Sequence, residues 1–209
     1  LHLQEKIELN NISFEYDSHS EGTPTRVIDN LSLTIRRGER LGIKGASGAG
    51  KSTLMNLILG LYSPTSGEIR IDGVRLDDTT RRKWQNSIGY VPQNVFIADS
   101  TLAENIALGV DAQTIDRKRV EKVLEMASLT KFAKGLAQGI DTQVGELGCR
   151  VSGGERQRIG IARALYRQPD ILFFDEATSA LDKETESSVN HAIESLSTNN
   201  RELTIVVIA

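Results

Sequence analysis

The chain has 209 residues and a formal net charge of −3, with 39% hydrophobic and 25% charged residues. That length supports one sizeable hydrophobic core, so we expect a single globular unit with lobes. The balanced composition and small negative charge argue against a nucleic-acid partner. A lone cysteine, Cys149, excludes an intrachain disulfide and a thiolate metal cluster.

The apolar runs of the chain are short. The longest, Ile171 to Phe174 and Thr204 to Ala209, fall far below the ~20 residues that cross a bilayer. The first residues alternate apolar with charged and polar side chains, unlike the apolar centre of a signal peptide. If the protein serves a membrane passage, we expect that passage in a segment or subunit outside this chain.

The first 93 residues combine strand patterns with one helix. Alternation predicts strands at residues 3–16 and 31–35, with a polar loop between them, and a short strand at 40–44. An apolar helix follows at 53–61, and residues 68–76 form two strands around an Asp72-Gly73 turn. These early strands predict a small antiparallel sheet.

Residues 100–134 have a helical pattern, in which one face carries Val120, Val123, Leu124 and Ala127. We therefore predict an inserted helical subdomain over residues 94–160. Beyond it, the sequence predicts a helix at 154–167, an apolar strand at 171–174, a helix at 183–196 and an apolar strand at 203–209. Apolar strands that alternate with helices indicate an α/β fold whose parallel sheet is buried on both faces.

Residues 45–53 read GASGAGKST and satisfy the phosphate-loop pattern G-x-x-x-x-G-K-[ST] between a predicted strand and a predicted helix. A chance glycine-rich turn is the alternative, which that context disfavours. The glycines allow left-handed backbone angles that turn N–H groups inward, so the loop and the helix N-terminus form an anion nest. We assign Lys51 to the outer phosphates, Ser52 to Mg²⁺ and Thr53 to a further phosphate contact. The nest comprises Gly45, Ser47, Gly48, Ala49 and Gly50.

Residues 171–176 read ILFFDE, an apolar strand that ends in two acids. Ligands of open α/β sheets bind at the carboxyl edge, where Asp175 is expected. We assign Asp175 to the metal and Glu176 to the general base that deprotonates water. The alternative is that both acids merely end a strand and meet solvent.

Residues 151–157 read VSGGERQ and resemble the signature loop of ATP-binding cassette (ABC) proteins. The phosphate loop, signature and acidic strand stand in the family's order, and the likeness covers essentially the whole chain. The resemblance implies a single ABC ATPase domain over residues 1–209. Its P-loop NTPase core, RecA-like with a parallel sheet and an N-terminal antiparallel β subdomain, would take residues 1–93 and 161–209, and ATP and Mg²⁺ would be its cofactors.

The signature has the properties of a second anion site. Ser152 offers a hydroxyl, Gly153 and Gly154 offer backbone N–H groups, and the following helix directs its positive end there. The resemblance implies that this site closes on the nucleotide of a second cassette, in a head-to-tail dimer. A plain helix N-cap at Ser152 is the alternative.

The resemblance implies three further assignments. Tyr16 would stack on adenine, and Gln93 would reach the metal and the attacking water. Ser179 to Asp182 would cross the dimer seam. An ordinary strand tyrosine and a solvated loop glutamine are the alternatives for the first two.

Residues 100–106 (STLAENI) and 142–146 (TQVGE) resemble exporter-type cassettes. Glu146 would then contact a coupling helix of a transmembrane domain that is absent from this chain. The resemblance therefore implies an ATPase that powers transport from the cytoplasmic face of a membrane. A soluble cassette acting on nucleic-acid or protein complexes, and a binding module without useful turnover, are the alternatives.

Two positions depart from the family pattern. The family has a histidine just after the final strand, whereas this chain stops at Ala209, which predicts a fragment that binds nucleotide but hydrolyses it weakly. Glu155 stands where glutamine is commonest, and we expect it to be tolerated because the phosphate contacts come from Ser152 and the glycine backbone.

Overall fold

The computed structural model describes residues 1–16, 25–146, 148–176 and 183–208. The loop Ser179 to Asp182 lies outside these ranges. The elements of the described residues are β1 (Lys6–Tyr16), β2 (Thr25–Arg36), β3 (Arg40–Ile43), α1 (Lys51–Ile58), β4 (Ser66–Ile71), β5 (Val74–Arg75), α2 (Arg81–Gln85), β6 (Ile88–Val91), β7 (Ser100–Thr101), α3 (Leu102–Ile106), α4 (Arg117–Met126), α5 (Thr130–Gly135), β8 (Gln143–Val144), α6 (Gly153–Tyr166), β9 (Ile171–Asp175), α7 (Lys183–Asn199) and β10 (Thr204–Ile208).

An antiparallel sheet with the order β2-β1-β4-β5 forms the N-terminal part. It arises from the predicted alternation, because Ile7, Leu9 and Ile12 of β1 are fully buried while their neighbours in sequence face outward. The small antiparallel sheet is therefore confirmed. Strand β2 starts at Thr25, six positions before the predicted strand.

A parallel sheet with the order β3-β10-β9-β6 forms the central sheet of the fold. Its register pairs Ile43 with Ile208, Ile208 with Asp175 and Phe174 with Val91. The carboxyl ends of all four strands therefore meet at one edge.

Side-chain alternation along β9 and β10 divides the core in two. Phe173, Val206 and Ile208 belong to one buried cluster, together with residues of α1 and the antiparallel sheet. Leu172, Phe174 and Ile205 belong to the other, together with residues of α6 and α7. Each of these large side chains contributes roughly 1.5–3 kcal/mol through burial. The sheet is buried on both faces, as its apolar strands predict.

The predicted helical stretch 100–134 consists of three helices, α3 to α5, with a short β7-β8 pair beside them. The chain turns between α4 and α5 at Ser128, whose φ of 57° is left-handed. The predicted apolar face is confirmed, since Val120, Val123, Leu124 and Ala127 are buried. Within the described residues, no helix has the length and apolar character needed to cross a membrane. The subdomain limits of 94 and 160 stay a prediction.

Candidate functional site

The phosphate loop joins the end of β3 to the start of α1. Gly48 and Gly50 have φ values of 79° and 84°, which other residues adopt only with strain. Gly50 is also the N-cap of α1, and a Cβ atom there would lie 2.9 Å from Val27 Cγ1. The local backbone therefore requires glycine at this point, and the N–H groups of the first turn of α1 open towards the loop.

Lys51 is folded over this loop. Its Nζ donates to the carbonyl oxygens of Gly45 at 2.7 Å and Ala46 at 3.2 Å. The ammonium charge is thus held beside the anion nest, where it favours a polyphosphate.

A cavity of about 280 Å³ opens beside the loop, and the residues that line it are Tyr16, Val27, Ser47, Gly48, Ala49, Gly50, Lys51, Ser52, Thr53 and Glu176. It brings the predicted aromatic residue, most of the phosphate loop and the predicted general base around one space. Gly45, Gln93 and Asp175 are not among its lining residues.

Tyr16 lies at the mouth of this cavity and is 41% exposed. Its hydroxyl is 2.9 Å from Thr53 Oγ1, so the buried Thr53 hydroxyl already has a partner in addition to any phosphate. The Tyr16 ring meets Phe14 edge to face at 5.0 Å between centroids, and Tyr62 stacks on Phe14 at 5.3 Å. Tyr62 was not predicted, because its place beside β1 depends on tertiary packing.

Asp175 ends β9 at the shared edge of the sheet. The Tyr90 hydroxyl of β6 donates to Asp175 Oδ2 at 3.1 Å. Burial, and then the charge of Asp175, raise the pKa of Tyr90 to about 12, so the phenol keeps its proton. The sequence interpretation missed Tyr90.

Glu176 adopts a left-handed backbone conformation, with φ at 44°. Its N–H donates to the Ile208 carbonyl oxygen at 3.1 Å, which ties this turn to the end of β10. The turn brings Glu176 to the cavity wall. A non-glycine residue at such an angle stores on the order of 1 kcal/mol of strain, which is typical of functional positions.

The oxygen donors near the sheet edge suit magnesium. Ser52 lies in the first turn of α1 and lines the cavity. Gln93 lies two residues beyond β6, and Asp175 ends the adjacent strand β9. Hydroxyl, amide and carboxylate oxygens are the ligands that Mg²⁺ prefers, so this donor set fits the ion.

Ser152 is the N-cap of α6, so the plain capping role is present in the structure. Its hydroxyl accepts from the N–H of Glu155 at 3.3 Å and donates to Glu155 Oε2 at 2.8 Å, and its own N–H donates to the same carboxylate oxygen at 2.8 Å. Ser152 and Gly153 are exposed, whereas Gly154 is buried. A Cβ atom on Gly154 would lie 2.5 Å from Thr185 Cγ2, so this glycine permits the close packing of α6 on α7.

Helix α6 also holds the loop that follows β6. The buried Gln157 donates through Nε2 to the backbone oxygen of Gln93. Arg163 donates to the backbone oxygens of Asn105 and Phe96, each at 2.8 Å. Neither contact was predicted, since both join segments about 60 residues apart in sequence.

The strain at Glu176 can be tested with two small substitutions. We expect Glu176→Gly to raise the free energy of unfolding by roughly 1 kcal/mol above that of Glu176→Ala, because only glycine adopts the left-handed angle freely. Urea denaturation of the two variants measures the difference. If Glu176→Ala is equally stable or more stable, Glu176 is not strained.

Comparisons with known proteins agree with this arrangement. A protein-family model described as ABC transporter matches residues 28–179. The ATP-dependent lipid A-core flippase of Burkholderia pseudomallei (strain 1710b) is 44% identical over 190 residues, which cover 91% of this chain and 31% of the flippase. ABC transporter B family member 21 of Arabidopsis thaliana is 42% identical over 203 residues, or 97% of this chain and 15% of that protein.

A solved structure shares the fold as well. The structure of a bacterial Atm1-family ABC exporter with ATP bound superposes with a TM-score of 0.81 at 36% identity, covering all of this chain and 35% of that one. The chain thus spans about a third or less of the length of these relatives. Together, the matched family residues, the cavity around the phosphate loop and the exposed signature serine identify the chain as a member of the ABC transporter family, with the fold of its nucleotide-binding domains.

Proposed function

We propose that this chain binds and hydrolyses ATP as the nucleotide-binding domain of an exporter, powering transport from the cytoplasmic face of a membrane. The observation that carries the proposal is the cavity that unites Tyr16, the phosphate loop and Glu176. An aromatic ring for a base, a nest for phosphates and a carboxylate for water are the parts that nucleotide hydrolysis requires.

Each residue has a distinct role in this proposal. The loop N–H groups and Lys51 bind the phosphates, and Tyr16 stacks on the adenine. Glu176 accepts a proton from the attacking water, which Gln93 helps to orient. Ser52, Gln93 and Asp175 would hold Mg²⁺, which when bound neutralises charge on the outer phosphates.

The signature requires a second copy of the cassette. Ser152 and Gly153 are exposed at the N-terminus of a 14-residue helix, and neither lines the cavity of its own chain. A helix N-terminus with a serine hydroxyl favours an anion. We infer a head-to-tail dimer in which each ATP lies between the Lys51 loop of one chain and the partner's Ser152.

This dimer can be trapped. Glu176→Gln removes the general base but keeps the side-chain volume, so ATP should hold two chains together while ADP should not. Light scattering after size exclusion should give twice the mass of one chain in Mg-ATP. If the protein binds ATP but has the mass of a single chain in both ATP and ADP, the proposed dimer is contradicted.

The Ser152 hydroxyl has one proton, and that proton is donated to Glu155. Before Ser152 can donate to a partner's phosphate, this hydrogen bond must break. Glu155 would then lie near the incoming phosphate with the same sign of charge, which opposes closure. Glu155 is thus proposed to weaken the closed dimer while remaining compatible with the fold.

We expect Glu155→Gln, in the Glu176→Gln background, to lower the ATP concentration for half-maximal dimerisation by roughly three- to tenfold, because a neutral amide keeps the cap but loses the repulsion. The gain should shrink in high salt, since salt screens exposed charges. Glu125→Gln, an exposed change on α4, is the matched control. An unchanged or weaker dimer would exclude repulsion by Glu155.

We also propose a docking surface on this chain for the membrane-spanning part. Phe96 is 69% exposed, and it borders a cavity of about 560 Å³ whose other lining residues are Ile97, Asp99, Gly145, Glu146, Arg150, Val151 and Arg156. Arg163 of α6 donates a hydrogen bond to the backbone carbonyl oxygen of Phe96. Because the relatives continue far beyond this chain, we propose that a cytoplasmic helix of the transmembrane part docks here, with Glu146 as one contact.

Replacing Phe96 with Asp should weaken this docking by roughly tenfold or more, as for a central aromatic contact in an interface. The domain and the membrane-spanning part would be produced as separate chains and their Kd measured in detergent. Leu108→Asp, another exposed apolar position outside the cavity, is the control and should bind normally. Normal binding by the Phe96 variant would place the docking surface elsewhere.

A further inference from the structure

Tyr90 and Asp175 face the same side of the parallel sheet. Tyr90 pairs with Phe173 across β6 and β9, and Asp175 follows Phe173 by two residues. Side chains two positions apart on a strand share a face, so the long Tyr90 side chain runs past Phe173 towards the carboxyl edge. The hydroxyl reaches Asp175 Oδ2 at 3.1 Å.

The ring of Tyr90 borders a groove of about 330 Å³, which is mostly apolar. Leu59, Leu61 and Ile88 line this groove together with Asn56 and Gln85. Tyr90 itself is 43% exposed. A phenylalanine would place the same ring beside this groove, so the substitution removes the hydroxyl alone.

A phenol suits a carboxylate that must also serve a cation. A lysine or arginine at this place would cancel the charge of Asp175 and compete with a metal. The neutral hydroxyl fixes the carboxylate by a hydrogen bond and leaves its charge in place. A carboxylate has two oxygens, so Oδ1 stays available when Oδ2 is bound.

We propose that Tyr90 is a positioning residue for the magnesium carboxylate: its hydroxyl holds Asp175 Oδ2 and turns Oδ1 towards the ion. This inference rests on the proposed function, because it presumes that Asp175 serves the metal. It goes beyond that function by assigning a role to a residue outside the nucleotide cavity. Hydrogen bonds of this kind to metal ligands orient them, and their loss costs about 10–100-fold in metal affinity or activity.

The test is a Mg²⁺ titration of Tyr90→Phe. A fluorescent ATP analogue is bound to the 209-residue chain, first in EDTA and then with increasing Mg²⁺. In EDTA the Kd of the variant for the nucleotide should lie within about twofold of the Kd of the original protein. The Mg²⁺ concentration that gives half of the maximal increase in nucleotide binding should be roughly tenfold higher for the variant. A purely structural loss would weaken both measurements equally, and that result would overturn the proposal, as would an unchanged Mg²⁺ requirement.

Two further variants sharpen the result. Tyr166→Phe removes another tyrosine hydroxyl, which accepts a hydrogen bond from the Asp116 N–H at 3.0 Å. This control should leave the Mg²⁺ requirement unchanged. In an Asp175→Asn background, adding Tyr90→Phe should have no further effect, since the hydroxyl acts through that carboxylate. An additive effect would overturn the proposal. If the unmodified chain binds no nucleotide in either condition, the proposed function fails instead.

Discussion

The parallel register of β3, β10, β9 and β6 is the constraint on which the whole site depends. It aligns the ends of four strands at one edge, so that the phosphate loop, Glu176, Asp175 and the segment carrying Gln93 all start from the same line. Packing on both faces fixes this register, because a shift of one residue would move every side chain of β9 and β10 from one buried cluster into the other, where the neighbouring side chains are arranged for different shapes. Packing of the hydrophobic core thus positions the candidate site residues.

Two left-handed backbone angles shape the cavity. Gly50 takes a left-handed angle against Val27, and Glu176 takes one without being glycine. The first lets the chain wrap an anion without a side chain in the way. The second brings Glu176, the proposed general base, from the end of β9 to the cavity, and the surrounding core offsets its cost in stability.

Helix α6 connects the signature with the loop that follows β6. Ser152 caps its exposed N-terminus, while Gln157 and Arg163 along the same helix hold the loop with Gln93 and Phe96. A displacement of the signature would therefore act on the segment that carries Gln93, a proposed metal ligand, and on the exposed Phe96. This arrangement gives a physical route by which closure on ATP and docking of a membrane part would influence one another.

Much of the fold and most of the residues that line the cavity could be predicted because the signals are local. Glycine at fixed spacing specifies the phosphate loop, and a purely apolar run specifies β9. Strand β6 was missed because it is four residues long and contains Gly89, where a Cβ atom would collide with Leu172. Its contribution, the contact of Tyr90 with Asp175, joins residues 85 positions apart, and no local pattern encodes that pairing.

The central claim is that each nucleotide is held by two chains, and mixing two defective chains tests it most directly. Lys51→Ala and Ser152→Ala would each be made in the Glu176→Gln background, and trapped ATP measured for each alone and for a mixture. Shared sites predict little trapping by either alone but recovery of about a quarter of the original in the mixture, because half of the dimers then contain one intact site. No recovery on mixing would mean that Lys51 and Ser152 do not act on one nucleotide from opposite chains, and would contradict the account.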